Sequence, residues 1–247
     1  MKQPTLPTCP QEQQRVPQLA LSTVNVKDIA FLSVDNTQTF ENKNLNELYV
    51  NEGEQAALAT KEAIQLCKSY KIPLINVLEE HPIGHVSLAA NYKDKEPFYL
   101  LTYEEVAERT EENNGIGERA QFTLKELQSF LQEVGAQMLR PDHSIEGTQG
   151  VQLTEPLQES DFQIKVIKGR NPAREAYGAF DETNLNEILK ILDTKSVILS
   201  GVATDYCVGK TALDANKLGY ATYLVEEAIR GVAPETTQAK IQEMTAA

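Results

Sequence analysis

The chain contains no run of about 18 apolar residues, so it offers no helix able to cross a bilayer, and its first residues lack the basic-then-apolar order of a secretory signal. A soluble, cytoplasmic protein is the expectation. Positive charge is scarce: 23 Lys and Arg stand against 36 Asp and Glu, a net charge of −13. Such a surface repels phosphate backbones and anionic membranes, which excludes nucleic acid and lipid as main partners and points to a small molecule. Cysteine is scarce too. Cys9, Cys67 and Cys207 are far apart, form no Cys-x-x-Cys metal pair and cannot all be joined in internal disulfides, as suits a reducing compartment. Gly115-Ile-Gly117 lacks the third glycine and the preceding strand of a dinucleotide-binding loop and reads as a turn.

What is present suits one α/β domain of 247 residues with 41% hydrophobic content. Residues 1–26, without periodicity, read as an N-terminal extension to a domain spanning 27–247. Ile29 to Val34 is a continuous apolar run of strand length, the pattern of a strand covered on both faces. A helix over Glu54 to Tyr70 and a strand over Ile72 to Leu78 follow, with Cys67 on the apolar face of the helix. Residues 89–142 break this rhythm with an acidic stretch and a short amphipathic helix, Leu124 to Val134, and read as an insertion and candidate lid. Strand and helix then alternate again: Ile164 to Ile167, Thr183 to Leu192, Ser196 to Ser200, Asp205 to Leu218, Ala221 to Val225 and Pro234 to Met244. This order predicts a three-layer α/β/α fold around a central, mainly parallel sheet, with ligands bound at the carboxyl ends of its strands. The pattern leaves homo-oligomer formation open.

The residues able to carry chemistry all follow predicted strands. Cys207 stands in the first turn of a predicted helix, where backbone N–H groups and the helix dipole would lower a thiol pKa. Gly201 permits a tight turn that aims free N–H groups outward, as an oxyanion hole requires. Asp35 is placed to accept a thiol proton, and Lys168 to hold that carboxylate ionised.

Three segments in this order resemble the isochorismatase-like cysteine hydrolases, and among them the nicotinamidases, over roughly residues 27–244. They are Val34-Asp35-Asn-Thr-Gln-Thr-Phe40, then Lys168-Gly169 with Tyr177-Gly-Ala-Phe180, then Gly201-Val-Ala-Thr-Asp-Tyr-Cys-Val208. The resemblance implies a catalytic triad of Asp35, Lys168 and Cys207. It also implies a cis peptide between Val202 and Ala203, with the N–H groups of Ala203 and Cys207 as the oxyanion hole. Phe40 and Tyr177 are expected to wall the pocket. Glu79-Glu-His-Pro-Ile-Gly-His-Val-Ser87 matches the family's Asp-x-His-Pro-x-x-His-x-Ser stretch, and Arg140-Pro-Asp-His-Ser144 its Trp-Pro-x-His-Cys stretch. By resemblance Glu79, His81 and His143 ligate a divalent metal ion, with zinc first and manganese or iron as alternatives, and His85 is either a further ligand or a partner of bound water.

The implied activity is hydrolysis of nicotinamide to nicotinate and ammonia through a cysteine thioester, within NAD salvage. Departures from the family pattern bear on the pocket: Glu79 replaces Asp, Arg140 replaces Trp, and Ser144 replaces Cys. Two alternatives follow from them. One is the same triad acting on another small amide such as a carbamoyl compound, which Arg140 favours if the substrate is anionic. The other is a binding relative that has lost turnover.

Overall fold

A computed structural model describes residues 25–247; the reading of 1–26 as an extension lies almost wholly outside the described residues. The elements are β1 (Ile29–Val34), α1 (Gln38–Glu41), α2 (Gly53–Ser69), β2 (Leu74–Glu79), β3 (Leu100–Thr102), α3 (Tyr103–Val106) and α4 (Leu124–Val134). They continue with β4 (Ala136–Met138), β5 (Ile164–Lys168), α5 (Leu185–Ile191), β6 (Ser196–Val202), α6 (Gly209–Lys217), β7 (Ala221–Arg230) and α7 (Pro234–Ala246). Among the described residues, five strands form one sheet in the order β5-β2-β1-β6-β7, every neighbouring pair parallel. No described helix is long and apolar enough to cross a membrane.

The continuous apolar run of β1 divides its side chains between two layers, as alternate residues of a strand must. Ile29 and Phe31 pack with Ile64 and Cys67 of α2 on one face. Ala30, Leu32 and Val34 pack with Leu185 and Leu189 of α5 and Ala212 and Ala215 of α6 on the other. This is the predicted three-layer arrangement. Each wholly buried large side chain, such as Phe31 or Leu32, contributes about 1.5–3 kcal/mol relative to exposure.

Chain order runs outward from β1 through β2 to β5, then returns to the other side of β1 for β6 and β7. The carboxyl ends of β1 and β6 therefore diverge at a topological switch point, where open α/β sheets bind ligands. Two strands run longer than their sequence patterns: β6 passes through Gly201 to Val202, and β7 reaches Arg230 through a register shift opposite Leu199 to Gly201. The helix expected from Asp205 begins instead with a wide π-helical turn, Thr204–Val208, before α6.

Residues 89–142 build a satellite. β3 and β4 pair antiparallel, and Leu101, Val106, Leu127, Phe130, Leu131 and Leu139 form a separate apolar cluster with Val86. α4 has the predicted bounds, and its start is explained by a capping box: Thr123 Oγ1 accepts from the Glu126 N–H while the Glu126 carboxylate accepts from the Thr123 N–H. Arg119 ties the two ends of this satellite together through two bonds to Asp142, of 2.6 and 2.7 Å, and one of 2.8 Å to Asn91.

Glu41, at the end of α1, is an unanticipated feature. It is buried, and neither carboxylate oxygen has a hydrogen-bond partner among the described residues. Burial pushes its pKa well above the carboxylate range. Below the unfolded value of about 4.3 both states hold the proton and nothing is lost; as pH rises, the unfolded chain ionises freely while the fold must retain the proton. Stability is therefore lost as pH rises toward the folded pKa. Glu41→Gln removes this dependence, so the melting temperature of the variant minus that of the wild type should increase from pH 4.5 to pH 8. A difference that is flat across this range would show that Glu41 does not titrate as derived.

Candidate active site

Four adjacent strands deliver the chemistry in spatial order. Lys168 ends β5, Glu79 ends β2, Asp35 follows β1, and the Gly201 to Cys207 turn follows β6. Glu79 and Lys168 are register partners across the β2–β5 pair, and Val34 is the partner of Gly201 across β1–β6. Gly201 has φ +115°, and a Cβ there would lie 1.8 Å from the Val34 carbonyl oxygen, so only glycine lets the two backbones approach this closely. Asp35 adopts φ +52°, a left-handed conformation uncommon for a non-glycine residue, which turns its carboxylate back over the strand ends.

Lys168 is the hub. Its ammonium is fully buried and lies 3.1 Å from Asp35 Oδ2, 2.9 Å from Glu79 Oε1, 3.2 Å from the Ala176 carbonyl and 3.5 Å from Cys207 Sγ. The Glu79 N–H donates to Asp35 Oδ1 at 2.7 Å. Asp35, Glu79 and Cys207 each bring one atom within 4.8 Å of the others. Burial raises the Asp35 carboxyl to about 6, with Lys168 opposing the shift and Glu79 adding to it. Burial opposes charge on Lys168 and Glu79 as well. Even so, Asp35, Cys207 and Glu79 hold the lysine well above its ordinary value, while Lys168 and His81 hold Glu79 well below the carboxylate range.

Cys207 corrects an expectation. Its position in a first helical turn suggested a lowered thiol pKa, yet burial pushes the thiol well above its ordinary value, with Lys168 working against the shift and Asp35 with it. The desolvated sulfur faces two carboxylates, and these outweigh a short helical turn. The resting group is a thiol beside a carboxyl that titrates near neutrality. Val202–Ala203 is a cis peptide, and the Ala203 N–H makes no hydrogen bond among the described residues.

On the other side of Glu79, two imidazoles converge. His81 Nδ1 donates to the Gly169 carbonyl at 2.9 Å and His143 Nδ1 to the Pro141 carbonyl at 2.8 Å. Because a carbonyl only accepts, both rings carry a proton on Nδ1, and their Nε2 atoms face inward, offering a lone pair whenever the ring is neutral. These point at Glu79 Oε2 from 3.5 and 3.4 Å. His81 Nε2 is buried without a hydrogen-bond partner. Glu79, His81 and His143, the two imidazoles fixed by backbone carbonyls behind them, form a group that could hold a divalent cation. Gly169 matters here: with φ +75°, a Cβ would lie 2.7 Å from the His81 ring. His85 stacks on His81 with ring centroids 4.0 Å apart, but its Nδ1 meets the Ser87 hydroxyl at 2.8 Å and its Nε2 the Arg174 carbonyl at 2.9 Å. In this arrangement both of its nitrogens are engaged.

A cavity of about 230 Å³ opens over Cys207 and Ala203. Phe40 and Tyr177 wall it, as expected, together with Glu47, Leu48, Tyr206, Arg140 and Phe98.

The chain matches the isochorismatase domain family model over residues 30–247. It belongs to the isochorismatase family. Among relatives of this family, the nicotinamidase of Escherichia coli is 28% identical over 208 residues, 81% of this chain and 84% of the relative. The solved structure of the yeast nicotinamidase aligns with a TM-score of 0.70 and 26% identity, covering 88% of this chain and 96% of that one. A pyrazinamidase of Pyrococcus horikoshii, solved in complex with zinc, aligns with a TM-score of 0.64 and 26% identity over 89% of this chain and 95% of that one.

Within this isochorismatase fold, Cys207 and Ala203 line the cavity, Asp35 and Lys168 lie buried against one another beside the Cys207 sulfur, and Glu79, His81 and His143 gather next to them. Several participants escaped the sequence. Glu47 accepts from the Thr39 hydroxyl at 2.6 Å and the Ser144 N–H at 3.2 Å, joining two loops more than 90 residues apart that no local pattern connects. Phe98, which is 60% exposed, reaches the rim from the insertion. Tyr206 was within reach, since it precedes Cys207 directly and its ring packs 5.9 Å from that of Tyr177.

Proposed function

We propose that this protein is a cysteine amidohydrolase converting nicotinamide and water to nicotinate and ammonia, as part of NAD salvage. The observation that carries the reading is the buried Asp35–Lys168–Cys207 group at the head of a small cavity, with Glu79, His81 and His143 adjoining it. The names of its relatives supply the substrate.

In the proposed sequence, Asp35 takes the Cys207 proton as Sγ attacks the amide carbon, and Lys168 balances the negative charge that remains. The carbonyl oxygen, now an oxyanion, lies against the N–H groups of Ala203 and Cys207. Asp35 returns the proton to the amine, the C–N bond breaks and ammonia leaves, with the acyl group held on sulfur as a thioester. Water then attacks the thioester carbon, Asp35 again relays the proton, and nicotinate departs from the regenerated thiol. Phe40 and Tyr177 hold the flat ring between them. Glu79, His81 and His143 are the residues that would hold a divalent ion, zinc before manganese or iron, which would supply a Lewis-acidic centre. The zinc-bound pyrazinamidase supports this choice.

Elemental analysis should find about one divalent metal per chain in protein purified without chelator, as expected for a closed two-imidazole, one-carboxylate site. That protein should release ammonia and nicotinate from nicotinamide in equal amounts. His81→Ala should lose the metal and most of the turnover together. Metal-replete protein that leaves nicotinamide intact would rule out the substrate.

A further inference from the structure

Arg140 stands in the cavity without an anion. Its Cα is fixed by the satellite, the Arg140 N–H donating to the Ser87 carbonyl at 2.7 Å and its carbonyl accepting from the Ala89 N–H at 2.9 Å. Its guanidinium carbon sits 5.3 Å above the Tyr206 ring. Among the described residues it forms no ion pair, whereas Arg119 pairs with Asp142, Arg170 with Glu80 and Glu146, Arg174 with Glu133 and Arg230 with Glu52. The groups its guanidinium meets are the Tyr177 and Tyr206 hydroxyls, which are neutral. Two carboxylates also line the cavity, and both have partners: Glu47 accepts from Thr39 and Ser144, and Glu79 from Lys168. The cavity therefore offers one planar cation without a carboxylate partner, in the same space as the Cys207 thiol.

We propose that Arg140 is a specificity-determining residue that binds a carboxylate at the end of the substrate remote from the scissile amide. The enzyme then hydrolyses carboxamides bearing a distal carboxylate faster than neutral carboxamides of the same shape. A guanidinium meets a carboxylate through two parallel N–H···O bonds, which tryptophan, the residue of the family pattern at this position, cannot form. The reaction remains R–CONH₂ plus water giving R–COO⁻ and ammonium; Arg140 acts on binding and orientation only. The inference rests on the amidase reading of Cys207 and not on nicotinamide as the substrate.

Isosteric pairs isolate the charge. Ammonia release is measured for 3-carbamoylbenzoate against 3-acetylbenzamide, and for succinamate against 4-oxopentanamide, in wild type, Arg140→Lys and Arg140→Gln, each checked by thermal melting. The wild type should favour the anionic member of at least one pair by roughly 10- to 100-fold in kcat/KM, mostly through KM, as a charge-assisted contact provides. Arg140→Gln should bring that ratio to about one, and Arg140→Lys should leave it in between. Calorimetric titration of 3-carbamoylbenzoate into Cys207→Ala protein should show binding that is lost on adding Arg140→Gln. A wild-type ratio at or below one for both pairs, no cleavage of either anion, or a ratio unchanged in Arg140→Gln would overturn the proposal. Nicotinamide assayed in parallel separates the two readings: turnover of nicotinamide with a ratio of one rejects the role of Arg140 alone, and a high ratio without nicotinamide turnover rejects nicotinamide alone.

Discussion

Cys207→Ala is expected to lower ammonia release from nicotinamide by at least about 10⁴-fold, because removing a covalent nucleophile removes the whole two-step route and not one contact in it. The fold should tolerate the change. Cys207 belongs to an apolar cluster with Val208 and Ala212, and its sulfur lies near Lys168, Asp35 and Glu79. Losing one sulfur leaves those three charges still paired through Lys168, so the melting temperature should shift by no more than a few degrees. Intact-mass spectrometry of the wild type quenched during turnover should show an acyl adduct that the variant lacks. If the variant keeps more than about one hundredth of the wild-type rate, Cys207 is not the nucleophile and the thioester route fails.

The polarity of this site explains how much of it the sequence made legible. Strand β1 was readable to the residue, because a strand buried on both faces is apolar at nearly every position, Ser33 being the exception, and Asp35 then marks its end. The amphipathic helix α4 was equally plain, its cap and stripe being local signals. The lengths of β6 and β7 were not. They depend on pairing between strands, and Gly201, which reads locally as a breaker, continues β6 because Val34 requires the space. The thiol pKa was misread for the same reason: a helix terminus is visible along the chain, whereas the desolvation of Cys207 and its two carboxylate neighbours come from β1 and β2. Glu79 shows the limit most clearly. Its place in the histidine stretch marked it as a candidate metal ligand, but nothing local revealed that it also touches Lys168. That contact follows from the β2–β5 register, which sets Glu79 beside Lys168, and from a side chain long enough to turn one oxygen to Lys168 and the other to His81 and His143.

This shared carboxylate makes Lys168→Met the most damaging single substitution for stability. In the wild type, one buried ammonium compensates Asp35 and Glu79 at 3.1 and 2.9 Å. Methionine fills much of the same volume but leaves two buried carboxylates facing each other, and breaking a buried ion pair from one side costs about 3–5 kcal/mol. For a chain of this size the melting temperature should fall by roughly 10 °C. Activity should fall as well, since the charge that accompanies the Cys207 proton transfer is gone. A second substitution separates these effects. Lys168→Met combined with Glu79→Gln removes one of the two stranded charges, so the double variant should recover part of the lost melting temperature while remaining inactive, a coupling expected only between groups in direct contact. If the single variant melts within about 2 °C of the wild type, Lys168 does not carry the charge balance of this site. If the double variant melts lower than the single, Glu79 is held by the metal-side imidazoles and not by the lysine.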